Sequence, residues 1–527
     1  MNRLMRHFLL APAVAGLLSG QVDLSKAPTD SWPTYNGDYS GRRYSPLTKI
    51  NSGNVHQMSL GWVYKASTGA TGGGFRGTRV SATPVQLNGV LYFAVPDHVW
   101  AVDARTGREI WHFEWETKGG IHIGNRGIGI YGNWLYFETP DCNLVSLNLK
   151  DGKERWHQQI CDLDQFYFAT MAPLVVGNHI ITGVSGDDLD RPGYIESHDP
   201  ETGEMQWRTY TVPMKEGDAG LSSWPSLEAA QHGGGMTWIT PTYDPELNLI
   251  YFGTGNPQPV IAGKGRKGDN LYTESIVAVN PDNGKVAWGY SVSPHDTHDW
   301  DGVETPVLID GEINGQKRKL VAQASRNGFF FVLDRATGQN VVTSEFVKTN
   351  WSKGVDADGH PTSNPDKEPK VDGALVTPNQ GGGTNWYPPA FNPDTGLFYV
   401  NASQAYSIYY IYDDSEKPEG WGGNDRGGWQ QAMLQAVDYK TGKVRWSRKF
   451  EAGGTRGGLL TTAGKLVFGG DPAGNFVAFD AATGDPLWHA NLGNNVTNGP
   501  ISYELDGSQW VIVAAGDTMY GFVMNSR

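Results

Sequence analysis

The sequence predicts an all-β fold, an eight-bladed β-propeller, from three observations: a repeated turn followed by tryptophan, the spacing of its copies, and a composition rich in glycine and aromatic residues. The 527 residues include 69 Gly, 19 Trp and 23 Tyr, and only 19% are charged. This composition is typical of turns and strands. A chain of this length also exceeds the roughly 250–300 residues that one core organises, which favours several domains or a repeat.

The repeat consists of two residues that end a strand, then Asp or Asn, a short turn closing on Gly, and a returning strand that ends in Trp. Asp and Thr can close such a turn by side-chain hydrogen bonds, and Gly supplies its positive φ. The Trp ring can then be buried against the neighbouring sheet. Seven copies occur, the fifth with Val in place of Trp: Ala101–Trp111, Ser146–Trp156, Ser197–Trp207, Ala278–Trp288, Val332–Val342, Ala436–Trp446 and Ala478–Trp488.

The spacing of the copies predicts the number of blades. The closest tryptophans are 42 to 51 residues apart, the length of one four-stranded blade. Gaps of 81 and 104 residues, after the third and fifth copies, predict long insertions. An eighth Trp, Trp62, has no preceding turn, whereas Gln509–Phe522 supplies strands with no following Trp. We therefore predict that Leu60–Tyr64 pairs with the C-terminal strands as an eighth blade and closes the ring.

The first 20 residues are typical of an export signal. Two arginines precede the apolar run Phe8–Leu18, which is too short to span a membrane. Cleavage fits either the small residues Ala13–Ala15 or a position near Gly20. Residues 21–527 are then predicted to form a single propeller domain, and we expect a periplasmic mature protein without a membrane span.

The net charge and the cysteines limit which partners and which cellular compartment are compatible with the sequence. The formal net charge of −14 argues against a nucleic-acid partner, because phosphate binding needs clustered Lys and Arg. The two cysteines, Cys142 and Cys161, include no C-x-x-C-H haem motif. Their numbers and those of the predicted turn Asp151-Gly152 have the same sum, as paired positions of a hairpin do. A disulfide in an oxidising compartment and two buried thiols are both compatible with this placement.

Short motifs outside the repeat are the most specific part of the sequence. They are N-R-G at 125–127, G-G-G-M-T-W at 233–238, G-T-G-N-P at 253–257, P-H-D-T-H-D-W-D-G at 294–302, S-R-N-G at 325–328 and G-G-T-N-W at 382–386. Together with the segment Trp32–Leu47, they resemble the eight-bladed quinoprotein alcohol dehydrogenases, which use pyrroloquinoline quinone (PQQ). The resemblance covers essentially the whole mature chain.

The resemblance implies that a set of residues on the ring axis contacts PQQ. Trp238 would stack under the quinone, 18 residues before Asn256 as in the family; without the resemblance, a core role for this Trp is favoured. Arg326 would bond the quinone carbonyl oxygens. The other implied contacts are Arg126, Thr170, Ser185, Gly186, Asp187 and Asn385.

The resemblance also implies oxygen ligands for one hard cation, namely Asp188, Asn256, Asp299 and Asp301. By resemblance, Asp299 is the catalytic base that takes the alcohol proton, and Arg326 stabilises charge on the quinone oxygens. Asp301 resembles the lanthanide-dependent branch of the family, whereas calcium enzymes usually have a small or neutral residue there. Calcium and a lanthanide both stay open, as does a turn-capping role for Asp301.

The sequence departs from the family pattern at three places. Asp188 stands where the family has a metal-binding Glu, and its neighbour Asp187 is the alternative ligand. The adjacent cysteines that many members carry over the quinone are absent near Gly120 and Ile121. Ser81 stands near an acidic cofactor contact of the first blade. We therefore expect a pocket wall that differs from that of the family.

The function implied by the resemblance is oxidation of an alcohol to an aldehyde or ketone, with hydride transfer to PQQ. The electrons would pass to a separate acceptor such as a soluble cytochrome c, because this chain has no haem motif. A sugar, polyol or aldehyde substrate and a non-enzymatic propeller scaffold are the alternatives. A scaffold predicts no convergent acids on the axis, yet Asn256, Asp299 and Arg326 are all present.

Overall fold

A computed structural model describes residues 23–66, 79–120, 124–186, 190–412, 420–451, 453–454 and 457–524. Within these ranges the chain forms eight antiparallel sheets built on four strands each, here called blades 1 to 8. The predicted all-β propeller is confirmed. The predicted export signal lies outside the described residues. No helix in the described ranges is long and apolar enough to cross a bilayer.

In each blade the outer strand is more exposed than the inner one, as in blade 1, where the inner strand is mostly buried and the outer strand is exposed or half-buried except at the buried Trp111. The strands of blades 1 to 4 are Val85–Leu87, Val90–Val95, His98–Asp103, Glu109–Glu114; Gly129–Tyr131, Trp134–Glu138, Asn143–Asn148, Glu154–Gln159; Leu174–Val176, His179–Gly183, Tyr194–His198, Met205–Tyr210; and Thr242–Asp244, Leu249–Gly253, Ser275–Val279, Val286–Ser291. Those of blades 5 to 8 are Val307–Ile313, Gln316–Ala324, Phe329–Asp334, Asn340–Glu345; Ala390–Asn392, Leu397–Ile411, Gly423–Asp438, Val444–Lys449; Leu460–Thr462, Leu466–Gly470, Asn475–Asp480, Pro486–Asn491; and Ile501–Leu505, Ser508–Ala515, Thr518–Met524, Met58–Lys65.

The elements outside the blades are short, and most lie in the two predicted insertions. The first insertion contains the helix Leu227–Gln231. The second contains the hairpin Ser352–Val355 with Pro361–Ser363, and the strand Ala374–Val376, which pairs with blade 6. The remaining elements are the strand Tyr44–Ser45 and the 3-10 helices Val55–Gln57, Leu163–Gln165, Leu221–Ser223, Gly263–Arg266 and Pro365–Lys367.

The repeat tryptophan joins one blade to the next. Its indole N–H donates to a backbone carbonyl in the repeat turn of the following blade, in the pairs Trp62–Ala104, Trp111–Leu149, Trp156–Glu201, Trp207–Pro281, Trp288–Arg335 and Trp446–Ala481. The ring also covers the glycine of that turn. At Gly152, where φ is +69°, a Cβ atom would lie 2.6 Å from the Trp111 ring. Turn and tryptophan therefore recur together in these six pairs because the turn receives the tryptophan of the preceding blade, whereas the turn at Gly442 receives Val342 and Ser344.

Blade 8 closes the ring as predicted. Met58–Lys65 pairs antiparallel with Thr518–Met524. Both the indole of Trp62 and the hydroxyl of Tyr503 donate to the carbonyl of Ala104 in blade 1. The N-terminal strand therefore completes the last sheet and joins it to the first.

The N-terminal segment Trp32–Ser45 runs along the inner edges of the blades. Its backbone is hydrogen-bonded to residues of blades 1, 4, 5, 6 and 7, namely Gln86, Tyr243, Leu308, Phe391 and Thr461. Arg43 is fully buried and donates to the carbonyls of Tyr35, Leu459 and Pro500. This segment ties most of the ring together through backbone contacts.

Cys142 and Cys161 form a disulfide, although the register behind our prediction was wrong by one residue. The backbone N–H of Ile160 donates to the carbonyl of Cys142, so Ile160 rather than Cys161 lies opposite Cys142. The turn lies one residue earlier than predicted, because Asn148 pairs with Lys153, which would move the partner of Cys142 by two residues. A β-bulge beside Trp156 adds one residue to the outer strand and reduces this offset to one. Such a bulge precedes the repeat position in all eight described blades.

The substitution Gly152→Ala tests the docking of blades. It should lower the free energy of unfolding by about 2–4 kcal/mol, since a side chain at positive φ costs about 1 kcal/mol and overlap with the Trp111 ring adds to it. Gly177→Ala is the matched control, because Gly177 has φ +56° and no heavy atom within 4 Å of its added Cβ. It should cost only about 1 kcal/mol. Equal losses in urea unfolding would contradict the docking role.

Candidate active site

The predicted site residues lie at one end of the ring. In an antiparallel blade, the segment before the inner strand and the connection between the second and third strands lie at the same end, opposite the repeat turns. Arg126, Trp238 and Asp299 precede inner strands, whereas Asn256 and Arg326 follow second strands. The repeat turns, which dock the blades on one another, therefore lie at one end of the ring, and these polar side chains lie at the other.

Arg326 links the two aspartates of the P-H-D-T-H-D-W-D-G motif. Its Nη2 lies 3.2 Å from Asp299 Oδ2 and its Nη1 lies 2.6 Å from Asp301 Oδ2. All three side chains are buried. Burial alone would lower the pKa of Arg326, but the two carboxylates raise it above its usual value. Burial raises the pKa of Asp301, although Arg326 opposes the shift.

The other oxygens of the two aspartates meet at Asn256. Asn256 Oδ1 lies 3.0 Å from Asp301 Oδ1 and 3.3 Å from Asp299 Oδ1. If the amide were turned round, its Nδ2 would donate to both carboxylates. With the amide oxygen inward, three oxygens converge without a shared hydrogen, which is the donor set of a hard cation. The residues present therefore fit a bound cation, and Asn256 N–H holds Asp301 Oδ1 at 2.8 Å.

Two further predicted ligands lie outside the described residues, namely Asp187 and Asp188. Within the described ranges, no group of three or more His, Cys, Asp or Glu side chains forms a metal site. The oxygen cluster among the described residues consists of two carboxylates and one amide.

Arg126, Trp238, Thr170 and Ser185 form a second, contiguous group. The Arg126 guanidinium lies 4.4 Å from the ring centroid of Trp238 and 4.7 Å from that of Trp386. Its Nη1 donates to Thr170 Oγ1, which lies 3.2 Å from Ser185 Oγ. Burial lowers the pKa of Arg126 to about 10. Aromatic faces beside a cation and hydroxyl donors fit a flat, anionic ligand, which is the chemistry of PQQ.

The loop 377–386 contains one predicted residue and two that the sequence analysis missed. Asn385 Nδ2 donates to the carbonyl of Gly381 at 3.0 Å, so its side chain shapes the loop. Trp386 follows it and contacts Arg126. Gln380 Nε2 donates to Asp299 Oδ2 at 2.8 Å, and the Gln380 carbonyl accepts Arg326 Nη2 at 2.7 Å. The only sequence signal for both missed residues was their closeness to Asn385.

Glu138 is a further buried residue that the sequence analysis missed. Its Oε2 accepts the N–H of Met171 at 2.8 Å and its Oε1 accepts the N–H of Gly183 at 3.4 Å. Met171 follows Thr170, and Gly183 lies two residues before Ser185. Glu138 therefore holds both hydroxyl-bearing segments, and burial raises its pKa to about 8.

The structure explains one departure from the family pattern. Gly120, near the position of the missing cysteine pair, has φ +88°, and a Cβ atom there would lie 2.1 Å from the carbonyl oxygen of Pro140. A cysteine therefore does not fit this backbone. Ile121 lies outside the described residues, and Ser81 is buried. The backbone at Gly120 thus agrees with the absence of a cysteine at this position, and the difference in the pocket wall stays a prediction.

The eight-bladed ring with this axial group defines the class of the protein, a quinoprotein dehydrogenase, and comparison with known proteins identifies the family. The chain matches the family model "PQQ: Glucose/ethanol/alcohol dehydrogenase, beta-propeller domain" over residues 32–364 and 433–511. It is 36% identical to the quinoprotein alcohol dehydrogenase PedH of Pseudomonas putida, over 96% of this chain and 90% of that protein. The chain belongs to the family of PQQ-dependent alcohol dehydrogenases, which are oxidoreductases.

Two solved structures are also similar. The quinohemoprotein alcohol dehydrogenase of Comamonas testosteroni has a TM-score of 0.86 and 34% identity, over 94% of this chain and 81% of that one. A europium-containing methanol dehydrogenase has a TM-score of 0.85 and 28% identity, over 95% of this chain and 99% of that one. One relative thus contains haem and the other a lanthanide.

The buried Glu138 carboxyl predicts a pH-dependent stability. Its pKa is about 8 in the folded protein against 4.5 when unperturbed, so the folded state holds a proton that the unfolded state has lost between these pH values. Stability from this group therefore falls as pH rises, by about 1.4 kcal/mol per unit. In Glu138→Gln this loss should disappear, so the stability of the variant relative to wild type should increase from pH 5 to 8. If urea unfolding gave the same difference in free energy between the two proteins at every pH, the assignment would be contradicted.

Proposed function

We propose that this chain oxidises an alcohol to an aldehyde or ketone on the ring axis, with Asp299 as the base. The observation that carries the proposal is the convergence of Asn256, Asp299 and Asp301 oxygens beside the Arg326 guanidinium. Bound PQQ would accept the hydride from the substrate carbon, helped by a cation that polarises its carbonyl. Asp299 would take the hydroxyl proton.

The proposed cation ligands are Asn256, Asp299, Asp301 and Asp188, with Asp187 as the alternative to Asp188. Each described aspartate turns Oδ2 toward Arg326 and Oδ1 toward Asn256. Arg326 would therefore orient these carboxylates and stabilise negative charge that develops on the substrate or quinone oxygens. The contact between Asp301 and the Asn256 backbone supports a ligand role rather than a turn-capping one.

The proposed PQQ contacts are Arg126, Thr170, Ser185, Gly186, Trp238, Arg326 and Asn385, with Asp187 from the adjoining segment. Arg126, Thr170 and Ser185 would bind the carboxylates of the cofactor, and Trp238 would support its flat face. The Nε atom of Arg126 is buried without a hydrogen-bond partner among the described residues. An anionic ligand would satisfy this donor.

We also propose a periplasmic location and a separate electron acceptor, such as a soluble cytochrome c. The apolar segment at the N-terminus and the Cys142–Cys161 disulfide support an oxidising compartment. The chain has no C-x-x-C-H motif, so the electrons would leave to another molecule. The similar Comamonas protein is named a quinohemoprotein, which favours haem as the acceptor.

The variant Asp299→Ala tests the proposed base. Purified protein would be loaded with PQQ and calcium or lanthanum, and assayed over alcohols, sugars, polyols and aldehydes with an artificial acceptor. Wild type should be most active on an alcohol, and Asp299→Ala should lose at least about 100-fold in kcat, because general-base catalysis contributes this much. Its unfolding transition should stay cooperative. Full activity in the variant would contradict the mechanism, and wild type without activity or PQQ binding would favour a scaffold.

The variant Asp301→Ala tests the cation. The attraction of a carboxylate for a trivalent ion is about 1.5 times that for a divalent ion at the same distance. Loss of Asp301 should therefore weaken lanthanum-supported activity more than calcium-supported activity, by about ten-fold or more. Titration of each ion into PQQ-loaded protein measures this difference. Equal loss with both ions would assign Asp301 a structural role with Arg326.

A further inference from the structure

Gln380 contacts both members of the Asp299–Arg326 pair. Its side-chain Nε2 donates to Asp299 Oδ2 at 2.8 Å, and its backbone carbonyl accepts Arg326 Nη2 at 2.7 Å. The same Nη2 donates to Asp299 Oδ2 at 3.2 Å. The three residues therefore form a closed ring of hydrogen bonds at the end of the propeller that gathers the site.

The Asp299 carboxylate is engaged differently on its two oxygens. A carboxylate oxygen has two lone pairs, and those of Oδ2 are matched by the donors from Arg326 and Gln380. Oδ1 instead faces the point where the oxygens of Asn256 and Asp301 converge. The two donors on Oδ2 therefore hold the carboxylate with Oδ1 toward Asn256.

We propose that Gln380 is a positioning residue for Asp299: together with Arg326, its amide holds Oδ2 and so fixes the orientation in which the carboxylate meets the substrate. In the proposed reaction the alcohol O–H bond would break as an O–H bond forms on the Asp299 carboxylate, and the hydride of the hydroxyl-bearing carbon would pass to bound PQQ, which would leave a carbonyl product. The inference rests on the proposed role of Asp299 as the base.

The backbone of the loop is fixed independently of the Gln380 side chain. Gly383 N–H donates to the carbonyl of Arg326 at 2.7 Å, and the Trp300 indole donates to the carbonyl of Asn379 at 2.9 Å. Gly382 has φ +82°, and a Cβ atom there would lie 2.7 Å from the Arg326 Cβ. The loop therefore approaches Arg326 through its glycine backbone. A change of the Gln380 side chain removes the hydrogen bond to Asp299 without removing these contacts.

The test is Gln380→Met in the PQQ-loaded protein, because Met has a similar length and no N–H donor. We expect kcat to fall about ten-fold or more, since a small displacement of a reacting group has effects of this size. KM for the alcohol and the amount of bound PQQ should stay within about two-fold of wild type. Gln380→Glu should lose more activity than Gln380→Met, because it places a carboxylate beside Asp299.

Gln404→Met is the matched control. Gln404 is also half-buried. Its Nε2 donates to Thr377 Oγ1 at 2.7 Å, so this hydrogen bond reaches the same loop as Gln380 but not Asp299. The control should leave kcat unchanged. A second readout uses protein without cofactor: Gln380→Met should lower the melting temperature of wild type but not that of Asp299→Ala, because the hydrogen bond is already absent there.

The outcomes separate this inference from the proposed function. Wild-type kcat in Gln380→Met, or an equal shift of melting temperature in both backgrounds, would overturn the positioning role while Asp299→Ala stays inactive. An equal fall of kcat in Gln404→Met would assign the effect to the loop as a whole and overturn it as well. Full activity of Asp299→Ala would overturn the proposed base and the positioning role together.

Discussion

The rest of the structure depends on the docking of each repeat tryptophan against the turn of the next blade. An antiparallel four-stranded sheet does not bury its own faces, so stability comes from contact with its neighbours. The indole supplies this contact with a large ring and one directed hydrogen bond, and the glycine beneath it leaves room for the ring. Trp62 docks on blade 1 in the same way, so the last sheet meets the first.

The antiparallel connectivity then places the candidate site at the end of the ring opposite the repeat turns. The repeat turns are held between blades, whereas the connections at the other end can vary in length without disturbing the docking. Buried charge accumulates there at a cost that the protein offsets by pairing. Arg326 is paired with Asp299 and Asp301, while burial raises the pKa of Glu274 and Glu304 nearby. A protonated carboxyl is the less costly form of an acid without a cationic partner.

The fold was predictable because the contact that builds it recurs in six described pairs of neighbouring blades and leaves the same two residue types, a turn glycine and a tryptophan, each time. The exact position of a turn and the bulge beside each tryptophan have no residue type of their own. The turn before Trp156 lies one residue earlier than predicted and the bulge corrects only part of the resulting offset, so the predicted partner of Cys142 was wrong by one residue although the disulfide is present. Arg326 and Asn256 were found through family motifs. Gln380 was not predicted, because its contact with Asp299 joins residues 81 positions apart and is not part of the sequence repeat.

The role of Arg326 follows from the geometry of its fork. Two carboxylates whose oxygens approach one point repel each other, and a guanidinium that pairs with both of them reduces that repulsion. The planar guanidinium takes Oδ2 of Asp299 and Oδ2 of Asp301 on separate nitrogens, so both Oδ1 atoms face Asn256. A lysine, with a single nitrogen, would not hold two carboxylates in fixed orientations. The oxygens proposed to bind the cation are therefore oriented by a residue that need not touch it, and Gln380 extends the same restraint to Asp299, the proposed base.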